Sequence, residues 1–275
     1  MNRLDPEALK LRLKQAGVWS KKSFGQHFLI DEKALLAMVE TPNIQPGERV
    51  FEIGPGPGVL TEKLLEAGAA VTAFEADPDM VKILLEDFPM LNLVQGNALT
   101  TIPRLATEHY KVVANIPYQI TTPLIALFLE GGVPRLPESI TILVQKEVGE
   151  RLAAPARTGE RGFLSVLVQY YADVSIAAQV PNSSFWPAPE VDSVVLHMVV
   201  KPVRPLSADQ EKDFFRYVKR AFLGRRKQLK NVMGGMRGVS HAEIAEQFKA
   251  LGLSENVRAQ ELTEEEWLKL YNAHV

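Results

Sequence analysis

Up to about residue 200, apolar positions come in short runs separated by stretches of helical period. The runs are RVFEIG (49–54), AAVTAFEA (69–76), LNLVQGNA (91–98), YKVVANIP (110–117) and SITILVQ (139–145). They are continuous rather than alternating, as expected of strands covered on both faces of a parallel sheet. Helical patterns lie over about 59–66, after Pro78, over 122–129 and over 146–153. Strands and helices in alternation predict an α/β fold with a mostly parallel sheet. FLSVLVQYYA (163–172) is apolar nearly throughout, and its length favours a helix. SIAAQV (175–180) and SVVLHMVVK (193–201) read as two further strands. The segment between them, PNSSFWPAPEVD, carries Pro181, Pro187 and Pro189 and has no room for a crossover helix, so the two are expected antiparallel. The expected sheet has seven strands.

After KPVRPLSADQ (201–210) the strand pattern ends. Ser207 with Gln210, Ser240 with Glu243 and Thr263 with Glu266 have the spacing of capping boxes. Helices are predicted near 208–222, 225–233, 240–249 and 263–271. The chain thus divides into residues 1–202, an α/β domain with a helical N-terminal extension from about Pro6 to Ala16, and residues 203–275, a small all-helical domain.

The chain has 275 residues and no cysteine, which removes disulfides, thiolate nucleophiles and cysteine-based zinc sites. No metal site is expected. No apolar run approaches a membrane span, and the N-terminus lacks the apolar core of a signal peptide, so a cytoplasmic protein is expected. The formal net charge of −2 says nothing for nucleic acid. Its distribution does: between residues 216 and 237 stand Arg216, Lys219, Arg220, Arg225, Arg226, Lys227, Lys230 and Arg237, with no acid among them. Spacings of three to five residues place several on one helical face, as phosphate contacts or as a solvated surface. Lys21 and Lys22 extend the same basic rim.

FEIGPGPGVLT (51–61) joins the first strand to its helix. Gly54, Gly56 and Gly58 allow a tight turn and close approach of a ligand to the backbone, and the helix start offers free N–H groups. The spacing misses the dinucleotide fingerprint, and no Lys-Ser/Thr follows as in a phosphate loop. Glu75, at the end of the second strand, suits both hydroxyls of a ribose. Glu52 and Glu75 would repel a pyrophosphate, whereas a sulfonium carries a positive centre. The loop therefore favours S-adenosylmethionine over NAD, although a tight turn alone would account for the glycines. Asn97, in the third loop, stands where its amide would reach an adenine, or serves only as a turn residue.

Asn115, Ile116, Pro117 and Tyr118 follow the fourth buried run. An exocyclic amine on a base is a poor nucleophile because its lone pair is delocalised into the ring. Two acceptors, the Asn115 side-chain carbonyl and an inward-held Pro117 carbonyl, would favour a tetrahedral nitrogen with its lone pair free. Catalysis then rests on orientation and electrostatics, without a general base. Tyr118 would stack on the base, and Phe185 in the proline-rich loop would cover its other face. The competing assignments are a turn cap, a strand terminator and a core aromatic for the first three, and a hydrophobic plug for Phe185 and Trp186.

FGQHFL (24–29), EIGPGPGVLT (52–61), NIPY (115–118), FWPAPEVDS (185–193), RRKQLKN (225–231) and RAQELTEEEW (258–267) together resemble the bacterial small-subunit rRNA adenine-N6 dimethyltransferases, over nearly the whole chain. The resemblance implies a Rossmann-like class I methyltransferase fold. It also implies transfer of methyl groups from S-adenosylmethionine to two adjacent adenosines in the 3′-terminal hairpin of 16S rRNA, within a partly assembled small subunit. It places His27, Leu29, Gly54, Gly56, Glu75, Asn97 and Asn115 at the cofactor. Asn115, Pro117, Tyr118 and Phe185 are placed at the target base, and Arg220, Arg225, Arg226, Lys227 and Lys230 on RNA. A monomer is expected. His27 stands where this family commonly has Asn, and Asn97 where it commonly has Asp. The competing functions are a large-subunit rRNA methylase of the antibiotic-resistance type, a non-catalytic small-subunit assembly factor and a nicotinamide-dependent oxidoreductase.

Overall fold

A computed structural model of the chain describes residues 2–19, 25–224, 227–234 and 239–274. Two compact units form: Met1–Gly149 with Asp173–Val200, and Glu150–Ala172 with Lys201–Val275.

The strands are β1 (Phe28–Leu29), β2 (Arg49–Ile53), β3 (Ala70–Glu75), β4 (Asn92–Gln95), β5 (Lys111–Asn115), β6 (Ser139–Gln145), β7 (Ala172–Val180), β8 (Phe185–Trp186) and β9 (Ser193–Val200). Seven of them form one sheet in the order β4-β3-β2-β5-β6-β9-β7. The β2–β3, β3–β4, β2–β5 and β5–β6 pairs are parallel. β9 runs antiparallel to β6, from Ser139↔Val199 to Gln145↔Ser193, and lies between β6 and β7. The continuous apolar runs are explained by burial: Val50, Phe51, Val112, Val113 and Ala114 are fully covered. Chain order reverses between β2 and β5, which opens a crevice beyond their carboxyl ends.

The helices are α1 (Pro6–Gln15), α2 (Glu32–Glu40), α3 (Val59–Glu66), α4 (Pro78–Asp87), α5 (Ala98–Leu105), α6 (Thr121–Leu129), α7 (Lys146–Ala153), α8 (Phe163–Tyr171), α9 (Ala208–Ala221), α10 (Leu229–Met233), α11 (His241–Ala250) and α12 (Glu264–Asn272). The three capping boxes form as their spacing requires, at Ser207/Gln210, Ser240/Glu243 and Thr263/Glu266. α4 begins with Asp77 accepting the Asp79 N–H and with Pro78 in the first turn.

Five features depart from the sequence expectations. The antiparallel β1–β8 pair, Phe28↔Trp186 and Leu29↔Phe185, joins segments too distant for any local signal. α2, capped by Asp31 on the Ala34 N–H, and α5, which holds Pro103 inside it, were not expected. β7 starts at Ala172, directly after α8, rather than at Ser175. Of the helix expected over 225–233, the described residues Lys227 and Gln228 are not helical and Leu229–Met233 form α10.

The division near residue 203 is also not the one the compact units follow, because Glu150–Ala172 belongs with the C-terminal segment. Buried polar contacts tie that stretch in place. Arg161, 1% exposed, donates to the Leu262 carbonyl and to Gln169. The Tyr170 and Tyr171 hydroxyls donate to Glu211 at 3.2 and 3.0 Å, and Arg204 Nε reaches the same carboxylate at 2.6 Å.

Candidate functional site

A cavity of about 310 Å³ occupies the crevice beyond β2 and β5. The glycine loop forms one wall, the 25–29 segment a second, and the 115–120 stretch a third, with Glu75 and Asn97 between them. The glycines of the loop are required by geometry. Gly54, Gly56 and Gly58 have φ of 67, 56 and 83°, a region other residues rarely enter. A Cβ on Gly56 would lie 3.2 Å from the Phe28 ring, and one on Gly58 2.3 Å from Phe88. Gly58→Ala is therefore expected to destabilise the fold by about 1–3 kcal/mol and to weaken ligand binding together with it. A denaturant midpoint equal to wild type would contradict this. Gly54 brings the loop against Pro117, with a Cβ position 3.6 Å from its ring, so the two motifs form one wall.

Two carboxylates face the cavity. Glu75, 6% exposed, accepts the Gly56 N–H at 3.0 Å and the Asp77 N–H at 2.8 Å. Burial holds its carboxyl above the usual range, and those two N–H groups oppose the shift. Glu52, 1% exposed, accepts the Thr61 hydroxyl at 2.7 Å through one oxygen. Its other oxygen, Oε1, is buried without a partner. Burial pushes Glu52 up to about 8, and the charge of Glu75 adds to the effect. Glu75, and Glu52 once it ionises, make this lining better suited to a cationic group than to an anion. An orphaned carboxylate oxygen beside a glycine loop, with a ribose-type acid at the next strand end, fits S-adenosylmethionine. Sequence reasoning used Glu52 only as an anion repellent; its orphaned atom becomes visible only in three dimensions.

Asn115 ends β5 and is half-buried. Its Nδ2 donates to the His27 carbonyl at 3.2 Å, so Oδ1 is left as the acceptor. The His27 Nδ1 donates to the Pro187 carbonyl at 2.7 Å, and its ring stacks on Tyr118 with centroids 6.2 Å apart. The Tyr118 hydroxyl pairs with Ser193 Oγ at 2.7 Å, and burial raises the phenol above its ordinary value. Tyr118 thus lines the cavity with its ring fixed from two sides. Leu29 is 2% exposed and lines the cavity from the N-terminal segment. Asn97 also lines it, but its Oδ1 caps α5 by accepting the Leu99 N–H at 3.0 Å.

Two expectations need correction. The Pro117 carbonyl accepts the Ile120 N–H at 3.0 Å, closing the turn Tyr118–Ile120. This carbonyl is thus already engaged by the turn, and the second-acceptor role is not carried by it alone. Phe185 does not line the cavity: it is 3% exposed and belongs to the core cluster that contains Leu29 and Leu35. Its pairing with Leu29 in the β1–β8 ladder draws it inward, so in this structure it is a plug.

Sequence reasoning also missed Gln26, whose Nε2 reaches Asp77 at 2.8 Å, and Ser193. Both lie inside the quoted motifs FGQHFL and FWPAPEVDS, but neither carries a local sign of its partner.

Several of the basic residues share one face of a helix, as expected, but the described part of the run is not a single helix. Arg216, Lys219 and Arg220 are on α9, a turn at Phe222–Gly224 intervenes, and Lys230 is on α10. Gly224 makes the break close-packed, since a Cβ there would meet Val232 at 2.4 Å. Arg216 pairs with Asp213 at 3.2 Å and Lys230 with Glu255 at 2.8 Å. Arg220 and Lys227 are exposed. Arg225, Arg226, Arg237, Lys21 and Lys22 lie outside the described residues. Among the described residues no cluster of three or more His, Cys, Asp or Glu could hold a metal ion, and no helix is long and apolar enough to cross a membrane.

The family described as "Ribosomal RNA adenine dimethylase" matches residues 18–274. The chain is 39% identical to "Ribosomal RNA small subunit methyltransferase A" of Streptococcus pneumoniae strain P1031, over 98% of this chain and 97% of that protein. It is 36% identical to the protein of the same name from Dehalococcoides mccartyi strain BAV1, over 91% and 87%. Among solved structures it resembles the 23S rRNA methyltransferase ErmE, with 26% identity, a TM-score of 0.72, and 90% of this chain and 98% of that chain covered. It likewise resembles a dimethyladenosine transferase from Plasmodium falciparum, with 25% identity, a TM-score of 0.73, and 89% and 96% covered. Taken with the cavity, these likenesses mean that the chain belongs to the ribosomal RNA adenine dimethylase family and is an S-adenosylmethionine-dependent methyltransferase.

Proposed function

We propose that this enzyme methylates N6 of two adjacent adenosines in the 3′-terminal hairpin of 16S rRNA, giving N6,N6-dimethyladenosines during small-subunit biogenesis. The observation that carries the chemistry is the Asn115 amide. Its Nδ2 is committed to the His27 carbonyl, so its Oδ1 is oriented as an acceptor at the cavity edge. S-adenosylmethionine, when bound, supplies a methyl group on a cationic sulfur. Asn115 Oδ1 accepts one N–H of the target amine, and the carbonyl of Ile116, a cavity-lining residue, takes the role of second acceptor. Holding both hydrogens draws the nitrogen toward tetrahedral geometry and frees its lone pair. The amine proton leaves to solvent after transfer. Tyr118, held by His27 and Ser193, offers a rigid stacking face for the base. Glu75 takes the ribose, Glu52 a cationic part of the donor, and His27, Leu29, Gly54, Gly56 and Asn97 the remaining donor contacts.

The choice of the small subunit is supported by the full-length likeness to small-subunit methyltransferases. The structural likeness to a 23S rRNA enzyme keeps the large subunit as the second reading. On this proposal the unit of residues 1–149 and 173–200 binds the donor and carries catalysis, the unit of residues 150–172 and 201–275 binds RNA, and the protein acts as a monomer in the cytoplasm. Purified unmodified small and large subunits, incubated separately with labelled donor and mapped for modified bases, test it. Label on two adjacent adenosines of the small-subunit hairpin is expected. Label confined to the large subunit would replace the reading. Tight subunit binding without label would favour an assembly factor.

The basic run is assigned phosphate contacts. Neutralising Arg225, Arg226 and Lys227 together is expected to weaken RNA binding and to reduce the slope of log affinity against log salt by roughly 2–3. An unchanged slope would remove these residues from the interface.

A further inference from the structure

We propose that Arg3 is a positioning residue for the methyl-donor site, setting the glycine loop from outside the cavity; this rests on that cavity being the donor site. Arg3 is far from the motifs in sequence and does not line the cavity. The residue is nevertheless only 7% exposed, unusual for an arginine. All of its guanidinium nitrogens are engaged. Nε donates to the Pro57 carbonyl at 3.2 Å, Nη1 to Glu62 at 2.6 Å and Nη2 to Asp87 at 2.8 Å. One planar group therefore joins the loop (Pro57), the helix that starts from it (Glu62 on α3) and the next helix (Asp87 on α4). The guanidinium carbon also lies 4.6 Å from the centre of the Phe88 ring. That ring occupies the space a side chain on Gly58 would need.

Pro57 lines the cavity and lies between Gly56 and Gly58, both of positive φ. A proline carbonyl in such a loop has no helix or strand to hold it. The Arg3 fork gives that carbonyl a fixed partner, and Gly56 in turn presents its N–H to Glu75. The same N-terminal segment returns to the cavity at residues 25–29. It thus holds the donor site from two sides: residues 25–29 line it, and Arg3 braces the loop. A lysine could not reproduce this, because it lacks the rigid fork that meets three acceptors at once.

Arg12 is the internal control. It pairs with Asp87 and Glu86 at 2.8 Å each, on the same helix α4, so it shares Asp87 with Arg3, but none of its hydrogen bonds or ion pairs reaches the loop. Arg3→Met, Arg3→Lys and Arg12→Met are to be compared with wild type in the full chain. The readouts are donor KM and kcat on unmodified subunits, donor Kd by calorimetry, and urea midpoint. Arg3→Met is expected to raise donor KM and Kd about tenfold with kcat within about twofold. Arg12→Met is expected to lower the urea midpoint comparably and leave donor KM within about twofold. Arg3→Lys is expected to regain part of the midpoint but not the affinity. The inference is overturned if Arg3→Met leaves donor affinity unchanged, if Arg12→Met raises KM as much as Arg3→Met, or if Arg3→Lys restores affinity in full. Should wild type itself fail to bind the donor, the donor-site reading fails first and the role of Arg3 with it.

Discussion

Asn115→Ala is expected to lower methyl transfer by a factor on the order of 10²–10³ while donor affinity changes by no more than a few-fold. The side chain sits at the end of β5 with its amide nitrogen spent on the His27 carbonyl. What it offers a substrate is therefore the carbonyl oxygen alone. Alanine removes that acceptor and leaves the target amine planar and poorly nucleophilic. It also releases the His27 carbonyl, a loss worth about 1 kcal/mol of stability, too little to unfold the domain. The donor contacts proposed for Glu75, Glu52 and the glycine loop do not involve this side chain, since these carboxylates bond Gly56 and Thr61 rather than Asn115. Single-turnover rates with saturating donor, beside donor binding by calorimetry, separate the two effects. Near-normal turnover would remove Asn115 from the reaction.

Glu52 should make both stability and donor binding depend on pH, with opposite signs. Without donor, its folded-state value of about 8 lies above the ordinary 4.5. Between those limits the folded protein holds a proton that the unfolded chain has lost. The stabilisation is fully present below about pH 4.5 and is lost as pH rises through about 8. The slope reaches about 1.4 kcal/mol per pH unit at most. Glu52→Gln keeps an acceptor for Thr61 and removes the titration, so its urea midpoint should lose this component of the pH dependence. A cationic donor requires the ionised carboxylate. Donor affinity should therefore rise with pH up to about 8 and level off above it, with a proton released on binding below that value. Glu52→Gln should bind more weakly and without this dependence. The donor's own titration is common to both proteins and cancels in the comparison. Parallel pH profiles for the two proteins would refute the assignment.

Much of the framework was legible because the governing interactions are short-range. Continuous Val, Ile and Phe runs gave the parallel strands, and three serine or threonine caps with their acid or amide partners gave helix starts. Gly-x-Gly-x-Gly before a helix gave the loop, and Glu75 at the next strand end gave its companion. All of these lie within a few residues of the feature they dictate, or repeat with a fixed period.

The remaining features depend on which distant segments meet. Phe185 reads as an exposed wall in its own loop, yet its pairing with Leu29 buries it. Pro117 reads as an inward carbonyl, yet the Ile120 N–H takes it. The basic run reads as spanning two helices, but the packing of Gly224 on Val232 at their division has no local sign.

By itself, then, the sequence determined the seven strands, most of the helices, the glycine loop and the types of residue that end up around the cavity. Local periodicity and capping chemistry need no distant partner. Only the tertiary structure decided the orientation of the Asn115 amide, the orphaned oxygen of Glu52 and the brace from Arg3 to Pro57. Each is set by groups more than a few residues away, and burial and hydrogen-bond satisfaction between such groups exist only once the sheet has brought them together.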